Sequence, residues 1–444
     1  MFVHTEQPLR WDIYEEHLDE AAFRWSQWEA ALDAPDYVLA EVAELEERVA
    51  SHLDGLVLGG ERVARRLLEP SLAADEAERI VVAALALLNG EASSGSAAVR
   101  AALAQAEAPA LAAYQRALEL AVPSRGVSLD LLPLLTKEEV APEFLALVLD
   151  TLGSHGLATA PLCLSFLTHP EPLVAAAALR VAGRMRLPLE PGVLQRALES
   201  DQSILRDAAI VAGLLGGYRG AWAACQVVAE SRSPDAQLPL LLLAMGGNER
   251  EMNRLLGLLS DESLRPRALW ALGFSGSTAA AEACLEWMRL ESTAALAGEA
   301  FSAITGLRIE GEYAAVRQEP VAEEPIPLEQ EDLDADLVPK PEDALPLPQA
   351  DAVASWWMEA RRRMDVRMRY LSGQPFTAQV LLDALVSAPM RRRHALALDL
   401  ALRSRGALHV PTRAFMEHQL AALQQARSAA PSSFSRPFAE ALRG

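Results

Sequence analysis

Two stretches decide the fold of this chain: Phe166-Leu-Thr-His-Pro-Glu-Pro-Leu-Val-Ala-Ala-Ala-Ala-Leu-Arg-Val-Ala-Gly183 and Leu198-Glu-Ser-Asp-Gln-Ser-Ile-Leu-Arg-Asp-Ala-Ala-Ile-Val-Ala-Gly213. Each reads as the end of one helix, a polar or proline-bearing turn, and a second helix rich in Ala, Leu and Val. Proline and short polar residues in the turn favour a new helix start. The second helix is apolar over so much of its surface that it cannot stand alone and must be covered by neighbours.

The pattern repeats outward from this pair. An apolar helix meets glycine at Gly153, Gly183, Gly213, Gly246, Gly273 and Gly306, at intervals of 30, 30, 33, 27 and 33 residues. A glycine closing a helix is expected in the left-handed capping conformation. A fixed period of this size is the signature of a stacked array. The units pair 160–167 with 173–183, 193–198 with 204–213, and 252–259 with 264–273. Cys163, Cys225 and Cys284 are 62 and 59 residues apart, about two periods, and each falls in a first helix. Small apolar core positions explain them without chemistry.

Upstream, Trp11, Tyr14, Leu18, Ala21, Trp25, Trp28 and Leu32 alternate spacings of three and four. Val38, Val42, Leu45, Val49, His52 and Leu56 do the same after Pro35. Each set marks one helix face, and a short turn between them predicts a helical hairpin ended by Gly59-Gly60. Downstream, residues 318–350 hold seven prolines, ten acids and one lysine. Proline removes helix donors and like charges repel, so this stretch reads as a semi-extended linker. After it, Val353, Trp357, Ala360, Met364, Met368 and Leu371 read as one helical stripe, followed by helices over 378–386, 390–402 and 411–426. The expected fold is all-α: a hairpin over 1–60, a solenoid of stacked antiparallel helix pairs over 61–317, a linker over 318–350, and a helical C-terminal domain over 351–444.

The quoted units resemble HEAT repeats. Leu45-Glu-Glu-Arg-Val-Ala-Ser-His-Leu-Asp-Gly-Leu56, Glu299-Ala-Phe-Ser-Ala-Ile-Thr-Gly306 and Arg369-Tyr-Leu-Ser-Gly-Gln-Pro375 are similar to a largely uncharacterised bacterial HEAT-like family that accompanies type VI secretion gene clusters. The resemblance implies an accessory role beside such a system, with a secretion component or effector as partner. It implies no chemistry.

Composition bounds the function. The 444 residues are 51% hydrophobic but only 5% aromatic, and the net charge is −21. Such a body repels nucleic acid and anionic membranes on average. Sparse cysteines, an N-terminus without a basic start and apolar stretch, and apolar runs near eight residues predict a cytoplasmic protein without membrane insertion. No HExxH, Cys/His cluster, GxSxG, GxxxxGK[ST] or GxGxxG occurs. The eight histidines lack ligand spacing, and Gly213-Leu-Leu-Gly-Gly-Tyr-Arg-Gly220 follows a helix, whereas a phosphate cradle follows a strand. No cofactor, metal or catalytic residue is expected.

A non-catalytic protein-binding scaffold or adaptor is the first functional reading, with Arg180, Arg206, Arg265 and Arg267 on second helices as candidate contacts. Residues 351–444 supply the alternative. They hold fourteen arginines against seven acids. Trp356-Trp357 precedes Arg361, Arg362, Arg363, Arg367 and Arg369, and Arg391, Arg392 and Arg393 follow beside His394. Arginine with aromatics can hold phosphates and stack bases. The same residues are explained more simply by a core stripe of Trp357 and Met364 with arginines facing water or pairing with acids, since the stripe already accounts for the aromatics.

Overall fold

The computed structural model describes residues 9–90, 93–122, 130–136, 140–316, 340–429, 434 and 436–442. Most of the expected linker therefore lies outside the described residues. Those described are overwhelmingly helical. The strand pairing among them is one two-residue hairpin, Tyr370–Leu371 with Gln374–Pro375, and an isolated bridge between Ala314 and Pro348.

The chain divides into two compact units. The first comprises Met1–Leu32, Val38–Ala221 and Arg405–Gln425; the second comprises Asp33–Tyr37, Trp222–Ser404 and Ala426–Gly444.

In the first unit, α1 (Trp11–Ala31) packs on α2 (Leu39–Leu58) through the predicted seams. Leu18, Ala21, Trp25 and Trp28 are buried from one helix, and Val42, Val49, Leu53 and Leu56 from the other. Beyond them, α3 (Ala77–Asn89), α4 (Ser93–Leu103), α5 (Ala108–Leu120), α6 (Pro142–Ser154), α7 (Ala160–Phe166), α8 (Pro172–Arg184), α9 (Pro191–Leu198) and α10 (Ser203–Leu215) follow in order. The packing also follows chain order: α3 lies on α5, α5 on α6, α6 on α8, and α8 on α10, while α7 and α9 each cover the helix that follows them.

The periodic glycines explain how closely these helices approach, and here the structure corrects the capping expectation. Of the six, only Gly306 adopts a left-handed conformation, with φ 77°. The others sit within or at the end of a helix against a neighbour. A Cβ on Gly153 would meet Val181 at 2.6 Å, one on Gly183 would meet the Ala212 backbone at 3.2 Å, and one on Gly213 would meet Ala221 at 2.7 Å. The real turns fall a few residues later, at Gly156, Arg186 and Gly217, all with positive φ. At each, the next residue's N–H returns to a helix carbonyl: Leu157 to Leu152 at 2.8 Å, Leu187 to Ala182 at 2.9 Å, and Tyr218 to Gly213 at 2.8 Å. Three helices, α6, α8 and α10, thus close with the same Schellman hydrogen bond.

Between the units' main stretches, α11 (Arg219–Glu230) leads into the second unit. There, α12 (Gln237–Gly246), α13 (Glu249–Leu258), α14 (Arg265–Leu272), α15 (Thr278–Trp287) and α16 (Glu291–Thr305) repeat the scheme, with α12 on α14 and α14 on α16. The unit is completed by α17 (Ala350–Ala360), α18 (Ala378–Ser387) and α19 (Met390–Arg403); α20 is Met416–Ala429. The stripe read through Leu371 stops early: α17 ends at Ala360, a 3-10 turn covers Arg361–Arg363, and the β-hairpin follows. Ser372 and Gly373 both have positive φ, 50° and 78°, the two-residue turn that suits a tight hairpin.

Candidate partner interface

The C-terminal arginines separate into an inward set and an outward set, both within the second unit. The inward set lies on helix ends. Arg369 Nε donates to Ser275 O at 2.8 Å and its Nη2 to Phe274 O at 3.0 Å, while Nη1 reaches Met245 O. Arg403 Nη2 donates to the same Met245 O at 2.8 Å, and Arg392 Nη2 to Gly273 O at 2.9 Å. These carbonyls close α12 and α14, where the helix dipole is negative and backbone acceptors lack intrahelical partners. Phe376 lies under Arg369 and Arg403, and Phe274 under Arg392, with ring centroids at 5.2, 4.6 and 3.9 Å.

Acids complete this interior. Asp399 and Arg403 form a buried pair at 2.7 Å. Glu299 lies 3.3 Å from Arg391 Nε and 3.7 Å from Arg392 Nη1. Burial pushes the Glu299 carboxyl above its ordinary range despite these cations. Burial likewise lowers Arg369 to about 9 and Arg392 and Arg393 to about 10. All three keep their charge at neutral pH. Arg393, fully buried, donates to Leu385 O at 2.6 Å. Arg391 also meets Glu342 at 3.3 Å, an acid of the expected linker segment.

The outward set begins at the end of α17. Arg361 pairs with Glu282 of α15 at 2.9 Å, and Arg362, Arg363 and Arg367 are exposed. The guanidiniums of these last three meet no acid among the described residues. Large apolar side chains accompany them: Met358 is 64% exposed, Val366 78% and Met368 43%. A shallow groove of about 590 Å³ between α15 and α17 is lined by Glu282, Leu285, Asp351, Ala354, Met358 and Arg361, among others. Trp356 is half-buried, with its ring 6.1 Å from Phe301 and 6.5 Å from Trp357.

The candidates on second helices have local partners. Arg180 holds Asp150 of α6 in a two-pronged pair at 3.0 and 2.5 Å. Arg206 lies 3.3 Å from Asp207. Arg265 donates to Leu259 O at 2.7 Å and covers the Trp287 ring at 4.1 Å, and Arg267 donates to Ser263 O at 3.2 Å. The structure therefore brings Arg361, Arg362, Arg363 and Arg367 together on one stretch of surface and directs Arg391, Arg392 and Arg393 elsewhere. No described group of three or more His, Cys, Asp or Glu side chains could hold a metal ion. No described helix is long and apolar enough to cross a membrane.

No family model and no curated protein matches this chain. Among solved structures, the crystal structure of an engineered protein from a structural genomics consortium is similar at 15% identity, over 65% of this chain and 93% of its own, with a TM-score of 0.29. A superposition that loose carries no information on fold or function.

Sequence reasoning passed over two features. Arg403 and Asp399 sit at i and i+4 spacing, the signal for their pairing, but nothing local announced that the pair would be buried. In the first unit, Glu46 of α2 accepts the Met416 N–H with both carboxylate oxygens, at 2.8 and 2.9 Å, and so caps the start of α20. Burial pushes Glu46 up to about 7.

Proposed function

We propose that this chain is a non-catalytic protein-binding scaffold whose helix pairs form a HEAT-like solenoid. The observation that carries the reading is packing in chain order: α3 lies on α5, α5 on α6, α6 on α8 and α8 on α10, with close approaches at Gly153 against Val181 and Gly183 against Ala212, as nearest-neighbour stacking in a repeat array would give. Solenoids serve mainly as surfaces for other macromolecules, and the absence of any catalytic motif in the sequence agrees with that use. The resemblance of Glu299–Gly306 and Arg369–Pro375 to the HEAT-like family makes a component or cargo of a type VI secretion system, in the cytoplasm, the expected partner. Those two segments meet in the fold: Ser372 N–H donates to Ala303 O at 2.8 Å and Gly373 N–H to Ile304 O at 2.9 Å.

Nucleic-acid binding draws less support, because Arg391, Arg392 and Arg393 spend their donors on the interior. The test is affinity recovery from the native host with the tagged full chain. A single protein enriched repeatedly over a control bait supports the scaffold. Repeated recovery of none, or recovery of nucleic acid alone, contradicts it.

A further inference from the structure

We infer that the outward segment 358–368, from the last turn of α17 to the β-hairpin, is a docking surface for an acidic, apolar-bearing segment of a protein partner. The inference rests on the scaffold reading and names the chemistry of its partner. Residues 361–368 carry four arginines and one aspartate, net +3, in a chain of net charge −21. One arginine, Arg361, is paired to Glu282, which leaves Arg362, Arg363 and Arg367 presented to solvent. Interleaved with them, Met358, Val366 and Met368 expose most or much of their apolar surface. Apolar side chains that large are normally covered, and when clustered they mark contact sites. Methionine adds a polarisable, adaptable contact. Arginine adds a planar fork that fits carboxylates.

The segment is also held in place, which favours recognition over mere exposure. Tyr370 Oη accepts the Asp365 N–H at 2.7 Å, and Asp365 Oδ1 accepts the Arg367 N–H at 2.9 Å. Met364 N–H donates to Arg361 O at 3.1 Å and Met368 N–H to Asp365 O at 3.0 Å. Immediately beyond, the Arg369 side chain, bonded to Ser275 O, and the Tyr370 N–H, bonded to Gly276 O at 2.8 Å, pin the strand. A surface ordered before binding loses little entropy when a partner arrives. Nucleic acid fits this site less well. The nearby aromatic Trp356 packs on Phe301, and the apolar side chains offer nothing to a phosphate backbone.

The test is fluorescence anisotropy with the full chain and labelled peptide probes of about twenty residues, the length of a single recognition helix. One probe places Leu at i, i+3, i+4 and i+7 spacing among Glu, so that a helix presents both along one face, a second has every Leu replaced by Ser, and single-stranded DNA is the third. The Glu/Leu probe is expected to bind best. The Arg362→Glu/Arg363→Glu/Arg367→Glu chain should weaken it roughly tenfold or more, and Met358→Ser/Val366→Ser/Met368→Ser should weaken it several-fold, about the loss expected for desolvated charge and apolar anchors. Circular dichroism and unfolding midpoints equal to wild type establish that both variants fold. Three results overturn the inference: Glu/Leu binding that is absent or unchanged in both variants, DNA bound as tightly as the peptide, or a wild-type dimer that the triple reversal makes monomeric. If the host partner is still recovered by the triple reversal, this surface fails while the scaffold reading stands.

Discussion

Arg369 and Arg367 are two residues apart and do opposite things. Arg369 is half-buried and gives its donors to the carbonyls of Ser275, Phe274 and Met245; Arg367 is exposed. The difference extends through the whole basic region of the second unit. Arg392, Arg393 and Arg403 are spent on backbone acceptors and buried acids, whereas Arg362 and Arg363 face water. Charge count alone would make these one patch. The placement of helix ends makes them two. Inward charges follow the sign of the helix terminus they meet: arginines lie on the carbonyl ends of α12 and α14, and within the first unit the carboxylate Glu46 lies on the N–H end of α20. Outward charges obey no such rule and are available for contact.

The division gives graded predictions. The largest effect belongs to Arg403→Ala. It strands Asp399 without its cation and leaves the Met245 and Phe434 carbonyls without this donor. Removing one partner of a buried pair costs about 3–5 kcal/mol, read by urea unfolding. A loss below about 1 kcal/mol, the range of exposed ion pairs, would place Arg403 with the outward set.

A smaller effect belongs to the helix contacts. Gly213→Val forces a side chain onto Ala221 and Leu194 and should destabilise by about 1–3 kcal/mol through overpacking. A neutral result would mean that α10 and its neighbour stand further apart than described.

The capping acid predicts a pH dependence. Native Glu46 titrates at about 7, above the ordinary 4.5, because burial outweighs the Met416 N–H. Between those values the native state holds a proton that the unfolded chain releases. Stability is therefore greatest on the acid side of this window and falls as pH rises through it. Solvent screening of this half-buried group limits the fall to on the order of 1 kcal/mol. Unfolding midpoints of Glu46→Gln should lose that part of the slope; parallel pH profiles would show that Glu46 stays ionised throughout.

The smallest effect comes from an arginine whose backbone matters more than its charge. Arg186 holds φ 54° at the turn after α8, where the turns after α6 and α10 have Gly156 and Gly217. Arg186→Gly should stabilise by about 0.5–1 kcal/mol, since only glycine adopts that conformation without a steric cost. A loss of stability would show that the Arg186 side chain, which packs beside Gly406, outweighs the strain.

Much of the architecture was legible. The three–four spacing of Trp11 to Leu32 and Val38 to Leu56 placed α1 and α2. The thirty-residue recurrence placed the apolar helices from α6 to α16, because each must hide the same broad face. The meaning of the recurring glycines was not legible. A glycine near a helix end reads equally as a turn or as a close contact, and only a neighbouring helix shows which. The stripe from Val353 to Leu371 failed similarly. Helical spacing can occur by chance over a few residues, while Ser372-Gly373, a turn signal, was the better local clue. At the candidate site, composition located the arginines but could not say which ones the carbonyl ends of distant helices would claim.

The most direct test of this division is one set of urea titrations on wild type, Arg369→Ala and the combined Arg362→Ala/Arg363→Ala/Arg367→Ala chain. Arg369→Ala should lose about 3 kcal/mol or more, as buried carbonyls lose a charged donor, while the triple variant stays within about 1 kcal/mol of wild type. Equal losses in the two variants, or a stable Arg369→Ala, would contradict the account.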